Sequence, residues 1–313
     1  MCQLLALSSH APTELSPWFA PFAARGGRTA DHVDGFGLAL HDGGACRLFT
    51  DTQRASESPL AAWLQHEPLR TRLALAHIRK ATQGSVEAAN CHPFVREWQG
   101  RAWSFCHNGN LRDFHPRLDG SVLPLGSTDS ERAFCWILQE LRRRFRGVPA
   151  PAVAQLAPVI AELAERIARH GTFNFLLADG QTLYAHATTN LHLLAHGTDE
   201  PRVLLATEPL TTDTAWVAFA AGELRVFVAG TQVWQRVPAA RRTRQRSALR
   251  STSLRPDHTA STAHTLTSTK PSGSASSRTV SSVTSDGSLA AFFGHDTHTI
   301  ASGPSVARSV ASV

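Results

Sequence analysis

The chain opens Met1-Cys2-Gln3-Leu4-Leu5-Ala6-Leu7, and this stretch bears on both fold and chemistry. Gln3 to Leu7 has the length and apolar character of a buried strand, so a strand beginning directly behind Cys2 would hold that residue at a rigid end. Removal of Met1 would make Cys2 the amino terminus and place a thiol and a free α-amine on one residue. A thiol near its ordinary pKa of ~8.5 is only slightly ionised at neutral pH, whereas an α-amine near ~7.7 to 8.0 can take its proton. Nucleophile and base would then need no separate histidine. A second-position cysteine is equally compatible with an ordinary strand start, so the decision lies further along.

Outward from this strand, Gly35 to Leu40 alternates, meets the turn His41-Asp42-Gly43-Gly44 and resumes at Cys46 to Thr50, a hairpin pattern. Leu73 to Ile78 and Arg101 to Cys106 read as further strands. Thr128-Asp129-Ser130-Glu131 has the form of a capping box and opens an amphipathic helix to about Phe145, with Ala133, Phe134, Ile137, Leu138 and Leu141 on one face. A second helix is predicted from about Ala152 to His170. Phe173 to Leu177 and Thr182 to Ala187 form a hairpin around Asp179-Gly180, and strands follow at Val203 to Ala206 and Leu224 to Val228. Antiparallel strands with helices grouped between them indicate an α+β fold.

Composition narrows the function classes. The 313 residues are 42% hydrophobic, enough for a real core. No apolar run is long enough to span a membrane, and the first residues lack the basic and apolar regions of a secretory signal, so a cytoplasmic protein is expected. Cys2, Cys46, Cys91, Cys106 and Cys135 are odd in number and irregularly spaced, which fits a reducing compartment. The Cys91-His92 and Cys106-His107 pairs lack the spacing that brings two ligands of one turn to one ion, and no metal is expected. Without a GxGxxG or P-loop pattern, nucleotide binding has no support, and no cofactor is expected.

The formal charge of +6 is local. Residues 241 to 313 hold nine Lys plus Arg against three Asp plus Glu, leaving 22 of each sign before them. The basic character belongs to this tail, so the folded part offers no footprint for nucleic acid. The same 73 positions contain 28 Ser or Thr. Such a composition cannot bury enough apolar surface to offset its ordering entropy, and residues 237–313 are expected to be disordered behind a domain at 1–236. Arg241 to Arg246 reads as a solvated charge run.

Four patterns carry chemistry: His77-Ile78-Arg79-Lys80-Ala81-Thr82, Asn90-Cys91-His92-Pro93-Phe94, His107-Asn108-Gly109-Asn110-Leu111 and Gly126-Ser127-Thr128-Asp129-Ser130-Glu131. With the amino-terminal Met-Cys, with Arg25-Gly26-Gly27 and Asp34-Gly35-Phe36-Gly37, and with Ala206-Thr207-Glu208-Pro209-Leu210, their order and spacing resemble the class II glutamine amidotransferase domain, most closely the small single-domain bacterial group of YafJ type. The resemblance runs from Met1 to about Val233 and stops at the tail. It implies the N-terminal nucleophile hydrolase fold, a four-layer αββα sandwich of two antiparallel sheets between helical layers.

The resemblance also implies roles. Cys2 matches the nucleophile that attacks the side-chain amide of glutamine and passes through a γ-glutamyl thioester to release ammonia and glutamate. Asn108 and Gly109 match an oxyanion hole of side-chain amide and backbone N–H, a device worth ~3 kcal/mol per donor, although Asn-Gly alone would be a tight turn. Arg79 matches the clamp on the substrate α-carboxylate, a task suited to a guanidinium fork; its plain alternative is a surface arginine, which is how Lys80 is read. Asp129 matches the acid that pairs with the substrate α-ammonium, and it also suits a helix start. His77, His92 and His107 are expected to line the site as packing or hydrogen-bonding residues. Trp98, Trp103 and Trp136 are read as core or pocket wall and Cys135 as inert core. No synthase domain is visible, so ammonia would go to water or to a separate acceptor protein. A hydrolase of γ-glutamyl amides or peptides would use the same residues, and a catalytically retired binding protein is the third reading.

Overall fold

The computed structural model describes residues 2–238; the disorder expected of the tail falls, from residue 239 onward, outside the described residues. In chain order the elements are β1 (Gln3–Glu14), α1 (Ser16–Ala24), β2 (Phe36–Asp42), β3 (Ala45–Asp51), α2 (Pro59–His66), β4 (Arg70–Ile78), β5 (Phe94–Trp98), β6 (Arg101–Leu111), α3 (Asp129–Arg144), α4 (Val153–Ile167), β7 (Gly171–Ala178), β8 (Thr182–Ala187), β9 (His192–His196), β10 (Arg202–Ala206), β11 (Val217–Ala218), β12 (Glu223–Val228) and β13 (Thr231–Arg236). The strands form two sheets, ordered β11-β9-β10-β1-β4-β2-β3 and β13-β12-β8-β7-β6-β5. Their paired neighbours are antiparallel.

Three apolar layers hold four structural layers together. Leu5 and Leu7 of β1 pack with Phe19 and Phe22 of α1 and Leu64 of α2. Leu4 and Ala6, pointing the other way, join Leu73 and Leu75 of β4 and Cys106, Leu176 and Leu183 of the second sheet. The outer face of that sheet places Phe105, Phe173 and Phe175 against Phe134 and Leu138 of α3 and Ile160 and Leu163 of α4. Both faces of β1 are therefore buried, which is why its sequence is a continuous apolar run and not an alternating one. The arrangement is the αββα sandwich of the N-terminal nucleophile hydrolases.

Three local features depart from the sequence reading. α1 carries Pro21 inside it and has no side-chain cap; that proline opposes local helix preference, and buried Phe19 and Phe22 supply tertiary support. α2, a helix beyond those expected, begins with Ser58 accepting a hydrogen bond from the Ala61 N–H and Pro59 following it, a start signal carried by the sequence. Finally, the box at Thr128 is only half formed. Thr128 Oγ1 accepts from Glu131 N–H at 3.1 Å. The Glu131 carboxylate turns away, accepting from Leu125 and Gly126 N–H and pairing with Arg96.

Candidate active site

Strand parity decides which side chains meet. In β1 the even positions Leu4 and Ala6 face the gap between the sheets, and Cys2 continues that series; in β4, His77 and Arg79 continue Leu73 and Leu75; in β6, Asn108 follows Cys106. Gln3 pairs with Ile78, so Cys2 lies beside Arg79 and Lys80 at one end of the gap. Thr207, just past β10, closes the group. Its Oγ1 accepts from Leu4 N–H at 2.9 Å and from Asn108 Nδ2 at 3.4 Å, joining the start of β1 to β6 of the other sheet.

The thiol of Cys2 is bracketed by the backbone of one residue, Lys80. Sγ lies 3.3 Å from Lys80 O and 3.3 Å from Lys80 N, so the thiol can donate to the carbonyl and the thiolate can accept from the N–H. Burial pushes the Cys2 thiol above its ordinary value, while the Lys80 N–H and the Arg79 charge act in the opposite direction. Such a thiol needs a base close by. The Lys80 side chain turns outward, with Nζ 2.5 Å from Asp31 Oδ2; its main chain, not its charge, attends the cysteine.

Asn108 is fully buried, its Oδ1 has no partner, and one long bond is all that engages its Nδ2. A buried amide so sparsely bonded is able to receive a further hydrogen-bonding group. Gly109 has a strict steric reason: a Cβ there would stand 1.9 Å from the Thr172 carbonyl oxygen on the paired strand β7.

Arg79 is 2% exposed. Its Nη1 donates to Ser85 O at 2.9 Å and its Nη2 to Gln83 O and Gly84 O at 3.1 Å each. These bonds use three of the five guanidinium donors and fix the loop after β4, leaving two donors for a carboxylate. Asn90 locks the same loop, donating to Ser85 O and Glu87 Oε1 while its Oδ1 accepts from Ser127 N–H at 2.8 Å. Asp129, the first residue of α3, accepts from Leu111 N–H at 2.7 Å through Oδ2. It therefore pins the end of β6 close behind Asn108, and its charge reaches the Cys2 thiol.

The three histidines are buried and neutral. His77 Nε2 lies 3.1 Å from the His107 carbonyl, which can only accept, so that nitrogen carries the proton and bridges the two sheets. His107 Nε2 likewise donates to Thr172 O at 3.0 Å, and its Nδ1 accepts from the Ser130 hydroxyl at 2.7 Å. His92 packs 4.0 Å from the His77 ring and 4.4 Å from Phe94 without a hydrogen bond at either nitrogen. Burial lowers His77 to about 3 and holds His92 and His107 below the ordinary histidine value. None is a competent base near neutrality. Trp98, Trp103 and Trp136 are core residues, as is Cys135, whose thiol burial raises to about 11. Among the described residues, no cluster of three or more His, Cys, Asp or Glu is arranged to hold a metal ion, and no helix is long and apolar enough to cross a membrane.

The sequence model described as "Glutamine amidotransferases class-II" matches residues 1–198, more than half of the chain. The chain belongs to the class II glutamine amidotransferases. It is 36% identical over 255 residues to "Putative glutamine amidotransferase YafJ" of Escherichia coli K12, covering 74% of this chain and 100% of that protein. A relative described as a glutamine amidotransferase in the same terms, from Haemophilus influenzae, is 37% identical over 255 residues, with 74% and 86% covered. The 2.0 Å crystal structure titled as a predicted glutamine amidotransferase from Pseudomonas aeruginosa superposes with a TM-score of 0.59 at 31% identity, covering 74% of this chain and 100% of that one. Glutamine phosphoribosylpyrophosphate amidotransferase of Bacillus subtilis, at 16% identity and a TM-score of 0.54 over 75% of this chain and 49% of that one, shares the fold.

Asn90, Ser130 and Thr207 of this amidotransferase domain lie within the sequence patterns, where nothing local indicates a role for them. Their work is to join loops and strands far apart in the chain, and the only signal for it was their presence inside those patterns.

Proposed function

We propose that this amidotransferase hydrolyses the γ-amide of glutamine through Cys2, once Met1 has been removed. The α-amine of Cys2 takes the thiol proton as Sγ bonds to the amide carbon. Asn108 Nδ2 and the Gly109 N–H receive the resulting oxyanion. Collapse breaks the C–N bond, the ammonium returns its proton to the leaving nitrogen, and ammonia departs from a γ-glutamyl thioester. Water then adds to the thioester, restoring the thiol and giving glutamate. The free donors of Arg79 take the substrate α-carboxylate, and Asp129 takes its α-ammonium.

The observation that carries this reading is the placement of the Cys2 thiol between the Lys80 N–H and carbonyl, at the same end of the gap as Asn108. The buried histidines support it from another side, since burial lowers their affinity for a proton and leaves the terminal amine as the stronger base. Ammonia leaves to water or to a separate acceptor protein. The activity is assigned to residues 1–236, and none to 237–313.

The test is incubation of the full chain with a γ-electrophilic glutamine analogue, followed by peptide mass spectrometry and a glutaminase assay. An adduct on a peptide beginning at Cys2, together with ammonia release from glutamine, is expected. A processed Cys2 that reacts with γ-glutamyl peptides and not with glutamine would replace the substrate. A processed, inert Cys2 would overturn the chemistry.

A further inference from the structure

The gap between the sheets has a second open end. Along β4, Thr71 lies six positions before His77, about 20 Å at the rise of a strand. There a cavity of about 410 Å³ opens, lined by His41, Thr71, Arg47, Arg70, Arg72 and Gly180, among others. It shares no residue with the site around Cys2.

Its floor contains a buried ring nitrogen without a partner. His41 is 4% exposed, and its Nε2 lies 2.7 Å from Ser104 Oγ while its Nδ1 is buried with no partner. When the Ser104 hydroxyl donates to Nε2, the ring proton sits on Nδ1 and has nothing to bond. Nδ1 stands 3.7 Å from where a Cβ on Gly180 would be, and both residues line the cavity. A buried donor left unpaired is costly, and an acceptor entering the cavity would relieve that cost.

The rim supplies charge. Arg70 is braced by bonds from Nε and Nη2 to Pro12 O, and Arg72 by one from Nε to His10 O. Each keeps further guanidinium donors, and Arg47 adds a third cation. Asp42 is the one carboxylate among the lining residues, so the wall carries a surplus of roughly two positive charges. That matches a phosphoryl group, which bears about −1.5 to −2 at neutral pH and suits the guanidinium fork. The volume lies within the ordinary range of small-molecule sites.

We propose that this cavity is a binding site for a phosphoryl group, as free phosphate or as a small phosphate ester, with Arg47, Arg70 and Arg72 at the rim and the His41 Nδ1–H at the floor. The test uses the full chain with ¹⁵N-labelled histidine, titrated with inorganic phosphate and with ribose 5-phosphate against chloride at matched ionic strength. Saturable calorimetric binding with a shift of the His41 ring signals is expected, weakened about tenfold in each of Arg47→Gln and Arg72→Gln, the loss of one charge-assisted bond. Equal affinity for the two probes assigns recognition to the phosphoryl group alone; tighter ribose 5-phosphate binding adds the cavity walls. An unmoved His41 signal, or binding untouched by both substitutions, would overturn the site.

Discussion

At one end of the gap between the sheets, Arg79 is buried and spends three donors on loop carbonyls. At the other end, Arg47, Arg70 and Arg72 stand exposed around a cavity, two of them steadied by a main-chain carbonyl. The residue type is the same, and the difference is what the fold had to provide. A buried guanidinium without partners would cost several kcal/mol, so the Cys2 end must be constructed from backbone before it can act. Exposed guanidiniums are kept by water and screened by salt, and that end can change without disturbing the fold. Chemistry is concentrated where the chain is most committed.

The sharpest way to break this contrast is to remove the thiol. Cys2→Ala is expected to lower glutaminase turnover to background, ~10⁶-fold by analogy with other lost nucleophiles, with the thermal midpoint little changed. Surviving turnover would move the chemistry elsewhere.

A pH series compares the ends through their histidines. Burial lowers His41 and His186 to about 4 and His77 to about 3. In the unfolded chain they take up protons near ~6.5, while the folded state resists until these lower values. Stability is therefore intact above about 6.5 and is lost as pH falls toward 4, by ~1.4 kcal/mol per pH unit for each group. Urea unfolding at several pH values measures this; a flat profile from 7 to 4 contradicts it.

Asn108→Ala is expected to reduce kcat by ~10² to 10³ with a smaller change in KM, as for a lost oxyanion donor. A pure KM effect would place Asn108 in ground-state binding. Next comes a matched pair. Arg79→Gln strips charge-assisted bonds from the loop after β4 and is expected to destabilise by about 3 kcal/mol. Arg47→Gln should change stability by no more than about 0.5 kcal/mol and leave kcat/KM as it was. Similar effects from the two would erase the distinction between the ends.

Legibility in the sequence followed the same division. β1 could be read because both its faces are buried, so burial is written as one apolar run. α3 could be read from its repeating apolar face, and Cys2, Arg79, Asn108 and Asp129 from the patterns around them. α1 escaped because Pro21 contradicts local helix preference and only packing of Phe19 and Phe22 overrides it. Glu131 escaped because its partner Arg96 is 35 residues away in another element. Thr207 and Asn90 could not be assigned roles for that reason: a hydroxyl serving β1 and β6 together, or an amide joining two loops, leaves no local trace.

The pairing of β1 also sets a schedule. Leu5 lies opposite Ala206, and Thr207 is needed to tie Leu4 to Asn108. The proposed nucleophile is thus among the first residues made, whereas the last piece of its surroundings emerges some 200 residues later, roughly 10 to 40 s at ordinary elongation rates. Through that interval β1 can pair with β4 along one edge only, and the edge that β10 later covers leaves the terminus open to an aminopeptidase. Once β10 docks, the end enters the middle of a sheet. Methionine removal should accordingly be fast on ribosome-bound chains stalled before residue 200 and slow on the completed, unprocessed protein, and equal rates would show that the terminus stays accessible after folding.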